Sequence, residues 1–430
     1  MHWYSEANIY HIYTFSQCGA PFYNDYSAVT QRLDKIEQWI PHIQNMGYTA
    51  VLLSPVFKSC SHGYDTTDYF TIDNRIGDNE SFRTLVSKFH SCGIRVILDG
   101  VFNHCGRDFF AFKNLQNGDN SYAEWFSGVN FNHGNELGDP FSYDTWSGHL
   151  ELVKFNLRHG DVKTHLLDAA KFWIEYFDID GLRLDSANIL DFDFMRSLRH
   201  MSLGVKPDFW LMGEVVSGDY SRWVNPEMLH SVTNYILYKG LFSSHNDNNL
   251  YELAYTLQNQ TQFDNTLCTF LDNHDQPRIA SLVTRPEFLN TLYLLLYTLP
   301  GIPTLYYGSE WAAKGIKRNG SDAPLRPMLD PLHPEGDTTL AEYIKKLIGI
   351  RASQNTLKFG SYKSISLEYR KPFIFERTYN DERIIVMINI SDNAESIHLA
   401  GEFHDLLSEQ KLPRDEITLA PHSGIIAKHL

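Results

Sequence analysis

Eight short apolar runs, most of them followed by a helix-length amphipathic stretch, constrain the fold of this chain more than any other feature. The runs are IYHIYTF (9–15), TAVLLSP (49–55), IRVILDGV (94–101), DGLRLDS (180–186), FWLMGEV (209–215), VTNYI (232–236), LCTFLD (267–272) and IPTLYYG (302–308). Helical spacing is read over Val29–Met46, Glu80–Cys92, Asp161–Phe177, Asn249–Gln260, Pro286–Leu299 and Thr339–Ala352. Eight strands alternating with helices predict an α/β fold, a parallel (β/α)8 TIM barrel.

Two segments break the alternation. Asn103–Leu157, after the third strand, is rich in Asn, Gly, Asp and aromatics. An insertion of that length in a compact domain is usually functional, and it is read as a small subdomain beside the barrel mouth. After Gln354 the helical pattern gives way to YKSISLEYR, FIFERTY, RIIVMINI, ITLA and GIIAKHL, which predict a C-terminal antiparallel β-sandwich. The expected division is residues 1–102 and 158–353 for the barrel, 103–157 for the insertion and 354–430 for the sandwich.

A net charge of −15 argues against nucleic acid or anionic membrane as partner. The most apolar window, Phe288–Leu299, is too short to span a bilayer. Five scattered cysteines (Cys18, Cys60, Cys92, Cys105, Cys268) form neither a disulfide framework nor a zinc motif. With no basic, apolar leader at the N-terminus, the chain reads as soluble and cytoplasmic. Nothing in the sequence reports the oligomeric state.

In such barrels chemistry sits at the C-terminal ends of the strands. Those ends carry Asp99 with Asn103-His104, Arg183 with Asp185, Glu214, and Asp272 with His274-Asp275. One such carboxylate would be an ordinary helix cap or loop anchor; a set spread over four strands at one end is not explained that way. In DGLRLDS, Leu182 and Leu184 share one face and Arg183 and Asp185 the other. Metal chemistry finds no HxH or HExxH spacing, phosphate chemistry no glycine-rich loop, and acyl transfer no GxSxG elbow. Carboxylate-only catalysis remains, with one acid ionised and another holding a proton, as glycoside hydrolysis requires. Arg183, two residues from Asp185, is expected to keep that carboxylate ionised and oriented.

The stretches DGVFNH (99–104), GLRLDSAN (181–188), GEVV (213–216) and FLDNHD (270–275) resemble, in order and spacing, the four signatures of the α-amylase family, glycoside hydrolase family 13. HGYDTTDY (62–69), LVKFN (152–156) and GIPTLYYGSE (301–310) are similar to further family stretches. The resemblance implies the barrel, an inserted domain B after strand 3 and a β-sandwich domain C. It also implies a retaining hydrolase of α-1,4-glucosidic bonds in starch and maltooligosaccharides. In it Asp185 matches the nucleophile, Glu214 the general acid/base and Asp275 the third carboxylate. Further matches are His104 and His274 to groups that bind sugar hydroxyls, Tyr64 to a ring stacked on the sugar, and Asp65 and Arg326 to the lining of that subsite.

The match departs from the common α-amylase pattern after the second signature, where Asn188-Ile189 replaces Lys-His. Asn103 matches a usual calcium ligand and Asp139 and Asp144 are candidate further oxygens, but half the expected site is altered, so no cofactor is expected to be required. The SAN and LVKFN segments look more like neopullulanases and cyclomaltodextrinases. That side of the family, or a transglycosylase, is the alternative to an α-amylase. A non-catalytic homologue is disfavoured because all three carboxylates are kept. The aromatics of the insertion (Phe109, Phe110, Phe112, Trp125, Phe126, Trp146) are expected to wall the cleft or to offer stacking surface.

Overall fold

The computed structural model describes residues 2–263, 265–369, 371–414 and 416–430. Arg370, the last residue of the expected YKSISLEYR strand, lies outside them. The chain forms two compact units, Ile12–Pro41 with Ala50–Val232, and Met1–His11 with His42–Thr49 and Thr233–Leu430.

The first unit carries five of the expected barrel strands: β2 (Ala50–Leu53), β3 (Arg95–Gly100), β4 (Gly181–Leu184), β5 (Trp210–Gly213) and β6 (Ser231–Val232). They pair in parallel, in the order β6-β5-β4-β3-β2. β2, β4 and β5 are buried at every residue, as a parallel sheet covered on both faces requires. Helix Asn79–Ser91 starts at a capping box in which Asp78 and Ser81 satisfy each other's backbone amides. Helices Gly160–Phe177 and Phe192–Val205 follow; the second, with Asp191 as its cap, is not among the predicted helices. At the opposite end of β4 from the candidate site, buried Asp180 accepts from Arg95, Lys206 and the Val96 amide and contacts His90. These partners hold its carboxyl well below the usual range although burial opposes them.

Within the inserted segment, strands His104–Gly106, His149–Lys154 and Thr145–Trp146 form an antiparallel sheet in that order. Phe109, Phe112 and Phe126 are buried, packing against Phe155, Phe141 and Tyr143. They are the core of the insertion and not a stacking surface, which corrects the expectation for these three rings. Phe109 and Phe155 also pack on Tyr69 outside the insertion. Trp146 is half-buried, and its Nε1 donates to Ser186 Oγ at 2.8 Å.

The second unit holds β1 (Ile9–Ile12) as far as His11, β7 (Cys268–Phe270) and β8 (Ile302–Tyr306), parallel in the order β1-β8-β7. Helix Phe288–Thr298, the most apolar window, is buried along nearly its whole length. Strands β9 (Ser361–Ser366), β10 (Phe373–Tyr379), β11 (Glu382–Asn389), β12 (Glu395–Ile397), β13 (Phe403–Asp405), β14 (Gln410–Lys411), β15 (Ile417–Leu419) and β16 (Ser423–His429) complete it. Six form an antiparallel sheet in the order β9-β10-β11-β16-β13-β14, and β12 pairs with β15. Ile374, Ile385, Met387 and Ala427 of the large sheet enclose a core with Ile397, Ile417 and Leu419 of the small one.

Candidate active site

Register places the charged residues of the first unit. Asp99 on β3 is the Cα partner of Arg183 on β4, and Arg183 that of Met212 on β5. Asp185 and Glu214 follow immediately, each amide still bonded to the neighbouring strand, Asp185 to the Gly100 carbonyl and Glu214 to that of Leu184. A Cβ on Gly213 would lie 2.5 Å from Leu229 and 2.8 Å from Ala187, so only glycine lets the chain deliver Glu214 at this point.

Arg183 is the hub. Its Nη1 lies 2.7 Å from both Asp99 carboxyl oxygens and 3.1 Å from Asp185 Oδ1, and its Nη2 is 2.9 Å from Glu214 Oε1. One guanidinium therefore serves three carboxylates. Around it, Tyr64 donates to Asp99 Oδ2 at 2.8 Å, and Ser186 Oγ donates to Asp185 Oδ2 at 3.1 Å. The Ser186 amide donates to Glu214 Oε2 at 3.0 Å. Ser186 has φ +50°, an uncommon left-handed conformation for a residue other than glycine, asparagine or aspartate. Burial pushes the Asp99 carboxyl up to about 7, against the pull of Arg183 and Tyr64.

His104 lies fully buried on the first strand of the insertion. Asn103 Nδ2 donates to its Nδ1 at 3.1 Å, which leaves the ring proton on Nε2, a buried nitrogen that makes no hydrogen bond. Burial lowers its pKa to about 4, so the ring is a neutral hydrogen-bond donor at pH 7. Asp65, also buried, accepts from Ser61 through Oδ2, while its Oδ1 makes no hydrogen bond.

The second unit contributes a separate group. Arg326 Nη2 donates to Asp275 Oδ1 at 2.7 Å, and Arg326 Nε to the His274 carbonyl at 3.0 Å. His274 Nε2 lies 2.9 Å from Asp275 Oδ2, and the Asp275 amide donates to Asn273 Oδ1. Asp272, by contrast, is an anchor: its carboxyl accepts from Ser309 and from the Ile279 amide. Asp99, Ser186 and Trp146 were not singled out by the motifs as site residues. The polar ending of β3 pointed to Asp99, GLRLDSAN contains Ser186 without assigning it a role, and Trp146 was expected only among the insertion's cleft aromatics.

Of the candidate calcium oxygens near Asn103, those of Asp139 are committed elsewhere. Asp139 is gripped by both terminal nitrogens of Arg107 and accepts further bonds from Gln116 and Asn135, so its oxygens are taken. Asn103 shares a cavity of about 910 Å³ with four cations, Lys154, Arg158, Arg196 and Arg222, and two carboxylates, Asp191 and Asp193. Among the described residues, no three His, Cys, Asp or Glu side chains are grouped to hold a metal.

The α-amylase catalytic-domain family model matches residues 21–338. The chain belongs to the α-amylase family. It is 34% identical over 379 residues to a cyclomaltodextrinase of Geobacillus thermopakistaniensis, covering 85% of this chain and 63% of that protein. It is 33% identical over 416 residues to a cyclomaltodextrinase of Thermoanaerobacter pseudethanolicus, covering 92% and 70%. The chain thus spans about two thirds of the length of these relatives. Among solved structures, cyclic α-maltosyl-(1→6)-maltose hydrolase from Arthrobacter globiformis matches over 100% of both chains with a TM-score of 0.86 and 25% identity. An Anoxybacillus α-amylase matches over 100% of this chain and 99% of its own with a TM-score of 0.85 and 25% identity. The fold is the parallel eight-stranded barrel of this family with a C-terminal β-sheet domain. Among the described residues, no helix is long and apolar enough to cross a membrane.

Proposed function

We propose that this protein is a retaining α-glucan hydrolase that cleaves α-1,4-glucosidic bonds in maltooligosaccharides and, less readily, in starch. The observation that carries this reading is Arg183, whose one guanidinium holds both Asp185 and Glu214. An Asp185 oxygen attacks the anomeric carbon as the glycosidic C–O bond breaks, and Glu214 gives its proton to the departing oxygen. Glu214, now a carboxylate, takes a proton from water; the water oxygen attacks the same carbon and frees Asp185. Asp99, Asp185 and Glu214 together outnumber the single cation among them, which favours retention of a proton in the cluster between turnovers.

In this reading Tyr64 stacks on the reacting sugar. His104, His274 and Asp275 bind its hydroxyls, and Asp65 and Arg326 line the subsite. His104 is suited to this because it is neutral and carries its proton on Nε2. The division into barrel, insertion and sandwich is kept as part of the proposal, supported by the separate sheets within 104–154 and 361–429. Calcium takes no catalytic step in it.

A second reading, a preference for cyclic glucans, is favoured by relatives named cyclomaltodextrinase and by the cyclic maltosyl-maltose hydrolase neighbour. A product time course with maltohexaose, soluble starch, pullulan and cyclodextrins tests both. Linear oligosaccharides should give maltose and glucose, with kcat/KM per bond above that for starch. A tenfold advantage for starch would contradict the reading, and faster turnover of cyclodextrins would favour the second.

A further inference from the structure

Phe22 and Tyr23 are 60% and 76% exposed, the most exposed pair of neighbouring aromatics in their unit. Side chains of this kind on a loose loop would need no explanation, but this loop is pinned. Arg75, buried and paired with Asp73 at 2.8 Å, donates from Nη1 to the carbonyls of Pro21 and Phe22 at 2.9 and 2.6 Å. Buried Asn24 ties the next turn down, its amide donating to the Cys60 carbonyl and its side chain to the Ser59 carbonyl and to Asn74. A buried ion pair holds two apolar rings out in water.

The rings lead toward the proposed catalytic residues. Tyr23 meets Phe22 edge-on at 4.8 Å, Phe22 lies 6.4 Å from His62, and His62 lies 6.1 Å from Tyr64. Tyr64 in turn bonds Asp99, the partner of Arg183. Phe22 and Tyr23 wall a cavity of about 330 Å³, a volume typical of small-molecule sites. Asp65 also lines it, and its Oδ1 is a buried acceptor without a hydrogen bond, with His62 Nδ1 only at 3.9 Å. His62 Nδ1 accepts from the Tyr64 amide, so its Nε2 carries the ring proton. Aromatic faces, an orphaned acceptor and an imidazole donor in one open cavity match a sugar, with its weakly apolar C–H faces and ring of hydroxyls.

We propose that Phe22 and Tyr23 form a stacking platform for glucosyl units that continue the bound chain outward from the subsite Asp65 lines, with Asp65 Oδ1 accepting a hydroxyl where the two meet. The platform rests on the glucan-hydrolase reading above and adds to it the element that selects substrate length. That element lies in the loop after β1 and not in the aromatic core of the insertion.

The test is the double variant Phe22→Ala/Tyr23→Ala, whose exposed positions predict little change in thermal stability. Its kcat/KM for maltohexaose should fall about tenfold, mostly through KM, while that for maltotriose stays within about twofold. Phe22→Tyr/Tyr23→Phe should restore the maltohexaose value. In the Glu214→Gln background, calorimetric binding of maltohexaose should weaken by a similar factor when both rings are removed. No change for either sugar, or equal losses for both, would overturn the platform while leaving the hydrolase reading intact. A wild type that turns over neither sugar would overturn the hydrolase reading and the platform with it.

Discussion

Arg183 on β4 and Glu214, just past the end of the adjacent β5, meet at 2.9 Å, so the proposed acid/base is bound to the same cation as the proposed nucleophile. The contact is available only because β4 and β5 are in register with Arg183 opposite Met212, which leaves Glu214 one residue past the end of β5.

Replacing that cation separates its charge from its geometry. Arg183→Lys keeps the charge but cannot reach Asp99, Asp185 and Glu214 together. We expect kcat/KM on maltohexaose to fall by about 10²-fold or more, with the fold retained. Arg183→Gln should in addition lower stability by about 3–5 kcal/mol, because buried Asp99 loses its partner. Steady-state kinetics and thermal unfolding of the two variants check this; a fully active Arg183→Lys protein would show that the hub is structural.

Acid should destabilise the protein through buried histidines. His245 is held between the Leu241 carbonyl and Thr291, and burial lowers it from 6.5 to about 4. A depressed folded pKa stabilises above the unfolded value of 6.5, and that contribution is lost as pH falls through about 4. The shift corresponds to a loss on the order of 3 kcal/mol over that window. His104 acts in the same direction. His245→Gln should therefore show a shallower fall of Tm between pH 6.5 and 4 than the wild type. Parallel profiles would refute the assignment.

Much of this was legible in the sequence because strand ends and motifs coincide. Leu182 and Leu184 are buried on one face, and Arg183 and Asp185 meet on the other, as the alternation in DGLRLDS implies. Boundaries were less legible where capping overrides apolarity. VTNYI is not a strand through Ile236: Asn234 caps the Leu237 amide, and a helix runs from Tyr235 to Asn246. The stretch 29–46 is not one helix but Asp34–Glu37 and Ile40–Met46, the second beginning around Pro41, whose missing amide suits a first turn. Periodicity could not separate the aromatics that build the insertion's core from those facing solvent, since both sets are spaced irregularly.

Calcium removal offers a further check. With Asp139 committed to Arg107, and Lys154 in the cavity that Asn103 lines, activity should survive dialysis against a chelator within about twofold. A complete loss restored by calcium would contradict this reading of the Asn103 region.

Asp185→Asn and Glu214→Gln should each lower turnover of maltohexaose by about 10³-fold or more while Tm stays close to that of the wild type. The losses have different origins: the first removes the nucleophile, the second the proton donor and base. A folded variant that kept a tenth of the activity would remove its residue from the mechanism.

The most direct measurement uses Glu214→Gln with α-maltosyl fluoride, whose leaving group needs no proton but whose covalent intermediate needs a base for release. Mass spectrometry after proteolysis should find a maltosyl adduct on the peptide carrying Asp185, and none in Asp185→Asn/Glu214→Gln. Fluoride release without an adduct, or an adduct on another carboxylate, would contradict the assignment of Asp185 and Glu214.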